Sequence, residues 1–419
     1  MDGPRPYPVY LFINVAFGLS FMLYATISSV YRIQTVGLNP LQLVLVGTAL
    51  ELAVLIFEVP TGVLADTYGR RRSVILGFLL IGTGFSFEGA LPTFAAVLAA
   101  QLIWGAGYTF VSGALQAWIA DELGGEDLGR VYLRGEQADY LGSFLGVFAS
   151  ALLATVALNL PLLIAGAFAV ALGATLVFLM RERNFRPVSR GGRSQWAQAG
   201  ATARSGVRLV HGHPALLILL AVAVFFGMSG EGFDRLWEAH LLKDIGLPAL
   251  AGLEPVLWFG LINAGTLVLS YLAAEVLGRA LDVGNVAVAA RLLFALNALT
   301  IVGVLAFALA GSFAFALGAF WFASLTRKLF YPLYLTWVNR GLDPNVRATV
   351  ISISNQANSL GELAGGPVVG AVGTLASIRT ALATAALVLS PALFLYGRAI
   401  RHDGVEPGLE ALNDTEKSN

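Results

Sequence analysis

Four charged side chains interrupt stretches of sequence that otherwise carry almost none: Glu51, Glu58, Arg327 and Lys328. Glu51 and Glu58 lie seven residues apart, about two turns along one helical face. A carboxylate in apolar surroundings can load and release a proton, whereas two adjacent cations can clamp an anion. Counting ~1.5 Å per residue puts Glu51 and the Arg327/Lys328 pair at similar depth in their runs, so a static buried ion pair is the competing structural explanation. A third cluster is Gly227-Met-Ser-Gly230-Glu231-Gly-Phe-Asp234-Arg235-Leu-Trp-Glu238-Ala-His240. Its glycines permit a helix break, Glu231 and Arg235 have pairing distance at i, i+4, and Asp234 is left facing solvent or solute. Read blandly, the same charges form an interfacial cap, with His240 an interfacial residue and not a ligand.

These residues sit in a chain built for hydrocarbon. Of 419 residues, 57% are hydrophobic and 12% are charged, against about 25% charged in an ordinary soluble domain. The 26 basic and 26 acidic residues cancel, which gives no electrostatic footprint for nucleic acid. With no cysteine and only four scattered histidines, thiolate chemistry and a metal site are not expected, nor is any cofactor. No P-loop, nucleophile elbow, zincin motif or dinucleotide fingerprint occurs in a usable context, so an enzyme is not expected. The short polar start, Met1 to Pro8, lacks the features of a cleavable signal, so the first apolar run is expected to be retained as a span.

A spanning helix needs about 20 apolar residues. Such runs lie near 8–31, 40–64, 73–91, 93–119, 131–157 and 160–180, then 214–241, 255–278, 286–309, 312–338, 347–374 and 376–399. The expectation is an all-α membrane protein with twelve spans in two pseudo-symmetric six-helix bundles, 1–181 and 214–401. A linker, 182–213, with a surface helix near 195–210 joins them, and a polar tail, 402–419, follows. Basic residues concentrate in alternate loops, at Arg70 to Arg72, Arg130, Arg134, the linker and Arg398, while the other side holds little beyond Arg32 and Lys243. The inside-positive rule then puts both termini in the cytoplasm, with the plasma membrane as the expected location.

Two stretches repeat at an offset of 219 residues. Trp118-Ile-Ala-Asp121 matches Trp337-Val-Asn-Arg340, and Gln137-Ala-Asp-Tyr-Leu-Gly142 with Gly146 matches Gln356-Ala-Asn-Ser-Leu-Gly361 with Gly365. Two similar halves around a central cleft is a plan used by carriers.

Between the second and third runs stands Gly62-Val-Leu-Ala-Asp66-Thr-Tyr-Gly69-Arg70-Arg71-Arg72. It resembles the G-x-L-A-D-x-x-G-R-R/K signature of the major facilitator superfamily, and Ala274-Glu275-Val-Leu-Gly278-Arg279 resembles an eroded second copy. The resemblance implies a secondary transporter working by alternating access. It also implies a latch in which Asp66 engages the start of the eleventh helix, near Arg347; Gly62, Gly69 and Arg70 shape the turn. A charge–dipole contact of that kind is worth about 0.3–2 kcal/mol, enough to bias two states without locking them. Gly361 to Gly370 with Pro367 is similar to the glycine–proline motif of drug/proton antiporters, although those carry it on the fifth helix. From the family comes the expectation of proton-coupled efflux of drug-like amphipathic molecules, with Glu51 and Glu58 as proton or ion sites. Expected solute contacts are Asn14, Tyr24, Gln101, Trp104, Tyr108, Glu231, Asp234, Asn263, Arg327, Lys328, Tyr331, Asn355 and Gln356. The rival within transport is a carrier of an anionic or zwitterionic metabolite held by Arg327 and Lys328; the rival outside it is a non-transporting receptor or assembly partner. The expected partners are a small solute, a proton or other coupling ion and the bilayer, with the chain a monomer.

Overall fold

Backbone groups in hydrocarbon must be satisfied within the protein, and a helix does so within its own segment. The computed structural model describes residues 5–124, 128–185, 214–248, 255–280, 286–339 and 344–402, and among them there is helix and no strand. The first six helices are α1 Pro6–Gln34, α2 Pro40–Tyr68, α3 Arg70–Ala90, α4 Phe94–Glu122, α5 Leu128–Ala154 and α6 Leu160–Leu179. Next come α7 Pro214–His240, running into a π-helical turn Leu241–Ile245, then α8 Pro255–Ala280, α9 Val286–Ala308, α10 Phe313–Asn339 and α11 Pro344–Leu375. The twelfth expected run is two pieces, α12 Ile378–Val388 and α13 Ser390–His402. Pro391 explains the break, because it cannot donate to the preceding turn. The expected surface helix near 195–210 and the tail after 402 lie outside the described residues.

Local chemistry fixes where several helices start. Asn39 and Gln42 form a reciprocal capping box at α2, and the Thr93 and Ser377 side chains cap α4 and α12. Among the described residues, eight helices are long and apolar enough to cross a membrane. Large apolar side chains such as Phe144, Phe148, Leu152, Phe178 and Phe394 stand exposed, as lipid-facing residues do.

The chain divides into two compact units, 1–198 with 249–260, and 199–248 with 261–419. In the first unit α1 packs on α5 and α6, and α3 packs on α4 and α6. In the second, α7 packs on α11 and α12, and α9 packs on α10 and α12. These helix pairs correspond between the halves.

The repeat reaches down to single atoms. A Cβ added to Gly142 of α5 would collide with the Val15 carbonyl of α1, and one added to Gly361 of α11 with the Val224 carbonyl of α7. Gly18 faces the Asp139 carbonyl as Gly227 faces that of Asn358, and Gly146 abuts Leu19 and Met22 as Gly365 abuts Met228. Backbones meeting this closely need glycine, since the packing between helices in lipid comes from contact and not from water exclusion. The 219-residue repeat seen in the sequence is thus the second partner of a helix crossing built twice.

Gly142→Leu is expected to destabilise the folded protein by about 1–3 kcal/mol or to prevent its accumulation, as overpacking does. Gly113→Leu, at a position with no neighbour within 4 Å, is expected to be tolerated. Thermal unfolding in detergent checks the contrast.

Candidate functional site

Gly69 joins α2 to α3 with φ of 110°, a conformation that strains L residues, and a Cβ there would sit 2.7 Å from a Glu182 carboxylate oxygen. That carboxylate caps α3 from outside it: Glu182 Oε1 accepts from the backbone N–H of Arg70 at 2.6 Å and of Arg71 at 3.3 Å. The Arg71 guanidinium donates to the carbonyls of Met180 (2.6 Å) and Val177 (2.5 Å) at the end of α6. Arg70 pairs with Asp121, donates to the Ala117 carbonyl at 2.7 Å, and lies 3.7 Å from Asp66 one turn back. Trp118 Nε1 donates to the Arg181 carbonyl, and Glu122 accepts from the backbone of Arg183 and Asn184. The 62–72 motif is therefore a corner that ties α2, α3, α4 and the chain after α6 together. Asp66 keeps 48% of its side chain exposed, so Arg70 does not use up its charge. The side chain of Arg347, its expected counterpart, lies outside the described residues, and so does that of Tyr331. A Cβ on Gly62 would meet nothing within 4 Å, so packing inside this unit does not demand that glycine.

Deeper in the first unit, three of the expected solute contacts are otherwise employed. Glu88, fully buried near the end of α3, faces Arg32 of α1, with Nε 2.7 Å from Oε1 and a terminal nitrogen 3.1 Å from Oε2. Oε2 also accepts from the Tyr24 hydroxyl at 2.7 Å and the Gln101 amide at 2.8 Å, while Trp104 Nε1 donates to Gln101 Oε1 at 2.9 Å. Tyr24 stacks on Phe85 at 3.9 Å. Tyr24, Gln101 and Trp104 thus spend their polar atoms on a buried ion pair and are nearly excluded from solvent. Arg32, expected in an exposed loop, lies inside α1. Sequence reading leaves Glu88 unnamed and puts Arg32 in a loop because both stand at the ends of their runs, where charges ordinarily meet water. The available signal was topological: α1 and α3 run the same way, so their ends share one level.

The second unit answers this cluster with carbon. An offset of 209 residues relates α1 to α7, and 219 relates α3 and α4 to α9 and α10. By these, Tyr24, Glu88 and Gln101 become Phe233, Phe307 and Phe320, three rings with centroids 5.7–5.8 Å apart. Arg32 becomes the buried Leu241.

By the same relation Tyr108 of α4 becomes Arg327 of α10. The Arg327 guanidinium lies over the rings of Phe233 (5.1 Å) and Phe226 (5.7 Å), both on α7. One terminal nitrogen donates to Asp234 Oδ2 at 2.7 Å, and a Cβ on Gly230 would come within 3.1 Å of that nitrogen. The cation lies over both rings while one terminal nitrogen meets the carboxylate. The Arg327 side chain is 13% exposed and that of Asp234 56%. Arg327 thus has a carboxylate of its own within the second unit, which removes the need for Glu51 as a static partner. Glu231 pairs with Arg235 at 3.0 Å as the spacing predicts, and is buried. Lys328, Asn355 and Gln356 are exposed, Asn263 half-buried, and Asn358 donates to Glu362 at 2.9 Å.

The first unit holds an acidic face of its own. Glu58 and Tyr108 are exposed and Glu51 half-buried, with both carboxylates near enough to act electrostatically on the Tyr108 hydroxyl. Asn14 is half-buried and donates to the Tyr10 carbonyl at 2.7 Å. Asp139, noted in the sequence only as a repeat marker, is a further half-buried carboxylate on α5, accepting from Ser143 at 3.3 Å. Among the described residues no cluster of metal-ligating side chains occurs.

The model of the Major Facilitator Superfamily matches residues 10–288. The chain belongs to the major facilitator superfamily. An uncharacterised transporter of the superfamily type from Bacillus subtilis, YxaM, is 24% identical over 229 residues, 55% of this chain and 57% of that protein. The match thus spans little more than half the relative's length. In fold the chain is similar to the nucleoside transporter NupG in its D323A form (TM-score 0.78, 14% identity, covering 94% of this chain and 99% of that one). It is similar also to a bacterial homologue of the human lysosomal transporter Spinster (TM-score 0.71, 16% identity, 96% and 98%). A third similar structure is a peptide-transporter-family member bound to 5-aminolevulinic acid (TM-score 0.69, 13% identity, 95% and 96%). At these identities the likeness shows the fold alone, that of a multi-pass helical membrane protein built of two halves.

Glu88→Ala would leave Arg32 buried without its carboxylate and is expected to cost about 3–5 kcal/mol of stability. Combining Tyr24→Phe, Arg32→Leu, Glu88→Phe and Gln101→Phe, the residues of the second half, is expected to restore much of it. Unfolding midpoints of the two variants in detergent make the comparison.

Proposed function

We propose that this chain is a secondary active transporter working by alternating access, and that its solute carries an anionic group recognised by Arg327. The observation that carries the reading is the arrangement around that residue. A guanidinium in a membrane-spanning helix is costly and marks a pathway or a partner. Here it lies over the rings of Phe226 and Phe233 while one terminal nitrogen meets Asp234, whose carboxylate remains accessible. A solute carboxylate or phosphate can take the place of Asp234 without leaving the cation unpaired, so the exchange avoids the desolvation penalty of a bare buried charge. The apolar rings beside it suit a solute with a hydrophobic body, and Lys328 adds a second positive charge next in sequence. The solute is thus an anionic or zwitterionic metabolite. The fold is shared with proteins described as nucleoside and peptide transporters, which supports a small polar solute in general terms.

A second reading, proton-coupled efflux of drug-like amphipathic molecules, has its own observation in Glu51, Glu58 and Tyr108. These place two carboxylates on one face of the first unit with a phenol between α2 and α4. In either reading the chain is a monomer in the plasma membrane with both termini cytoplasmic, as its basic loops favour. Asp66, 48% exposed beside Arg70, is the residue that biases the equilibrium between states.

Arg327→Ala is expected to raise the KM for an organic anion at least tenfold, about what losing a charge-assisted hydrogen bond costs, and Arg327→Lys to recover part of it. Counterflow in proteoliposomes across a panel of organic anions, zwitterions, nucleosides, sugars and drugs reads this out. Unchanged anion transport in Arg327→Ala would reject the clamp. Under an imposed proton gradient, Glu51→Gln is expected to abolish gradient-driven accumulation while sparing counterflow if the drug/proton reading holds; unchanged accumulation dismisses Glu51 as a coupling site.

A further inference from the structure

Positive charge in the first unit collects at one end of its helices. Arg71 and Arg72 open α3, and Arg181 and Arg183 follow the end of α6. Hydrogen bonds hold the two segments at one level: Glu182 caps the first backbone N–H groups of α3, and the Arg71 guanidinium donates to the Met180 and Val177 carbonyls. All four arginines line one recess of about 720 Å³, whose wall also includes Tyr68 at the end of α2 and Val177 and Phe178 at the end of α6.

These cations lack partners of opposite sign. Among the described residues no carboxylate lies within ion-pair distance of Arg71, Arg72, Arg181 or Arg183. Glu182 is the only acidic residue on the wall, and its Oε1 is taken up by two backbone N–H groups. The sequence that follows does not compensate: residues 186–213 contain no Asp or Glu and add Arg186, Arg190, Arg193, Arg204 and Arg208. Like charges grouped around one recess repel, and an anion set among them relieves the repulsion.

The rest of the wall is apolar and uncovered. Phe178 is 79% exposed, Tyr68 58% and Val177 45%. From Phe178 an exposed stripe runs back along α6 through Thr175, Ala171, Phe168 and Ile164, at spacings of three and four that keep it on one face. The stripe is about 21 Å long at ~1.5 Å per residue, longer than the ~15 Å half-thickness of a bilayer core. A cationic recess opening onto such a stripe matches an amphiphile with an anionic head.

We propose that this recess binds an anionic phospholipid, with its phosphate among Arg71, Arg72, Arg181 and Arg183 and an acyl chain along the exposed face of α6. Guanidinium groups offer paired N–H donors to phosphate oxygens and stay charged at any working pH. Arg71 is already fixed by two carbonyls, so its side chain loses little freedom on binding. A phosphate shared by Arg72 and Arg181 adds a second strap between α3 and the chain after α6, and so steadies the corner that carries Asp66. On the reading that puts both termini in the cytoplasm, this end of the helices meets the leaflet in which anionic lipids are concentrated. The site stands independently of which solute Arg327 binds.

The test uses the purified full chain, stripped of lipid in a neutral detergent, and reads bound lipid by native mass spectrometry and stability by the thermal unfolding midpoint. Phosphatidylglycerol is expected to bind and to raise the midpoint. Phosphatidylcholine with the same acyl chains, and inorganic phosphate at the same concentration, are expected to do neither. Combining Arg72→Gln, Arg181→Gln and Arg183→Gln leaves Arg71 and Glu182 in place and is expected to weaken phosphatidylglycerol binding about tenfold or more. Arg130→Gln with Arg134→Gln removes two exposed arginines that do not line the recess and is expected to leave binding unchanged. Equal binding of phosphatidylcholine, or equal stabilisation by inorganic phosphate, overturns the proposal on the wild-type chain alone. Wild-type affinity in the combined variant, or the same loss in the Arg130/Arg134 variant, overturns it as well.

Discussion

Hydrocarbon offers no hydrogen-bond partner, so every charge that enters a span must bring its counterpart with it. That constraint sorts the ionisable residues of this chain into two kinds. Glu88 is closed off: Arg32, Tyr24 and Gln101 all donate to it, and it is fully buried. Arg327 lies over two rings and meets a carboxylate that solvent still reaches. A closed-off group holds helices in place, and a group with an exchangeable partner can trade it for a ligand.

The duplication makes the contrast sharper. The two halves share helix pairings and glycine crossings. Where the first half spends four polar side chains on a buried pair, the second packs Phe233, Phe307, Phe320 and Leu241. The same backbone therefore tolerates either solution at that level, in line with the observation that buried ion pairs and well-packed apolar groups are often close in net stability. Divergence in the other direction, Tyr108 to Arg327, puts the cation where the first half has a phenol. Function in such a fold is written in these departures from symmetry more than in what the halves share.

Much of the architecture was legible in the sequence because its signals are strong. Twelve apolar runs, the 219-residue repeat and the Gly62–Arg72 corner each carry a physical reason that needs no coordinates. The break at Ser390-Pro391 was missed because hydropathy does not register one lost donor. The site was less legible. Depth along a run can be counted, so Arg327 was found, and the i, i+4 rule found Glu231–Arg235. Partners on other helices cannot be counted: Asp234 for Arg327 and Arg32 for Glu88 both come from the packing of α1 on its neighbours or α7 on its own. Tyr24, Gln101 and Trp104 look like solute contacts in a sequence because the residue types that line a pocket are also those that satisfy a buried charge.

On the proposed reading, a solute anion must displace its counter-ion Asp234 from Arg327. Equilibrium binding of an organic anion to detergent-solubilised Asp234→Asn measures it most directly. Removing the competing carboxylate should tighten anion binding relative to wild type, while binding of a neutral analogue stays the same. Weaker or unchanged anion binding in Asp234→Asn would contradict the account.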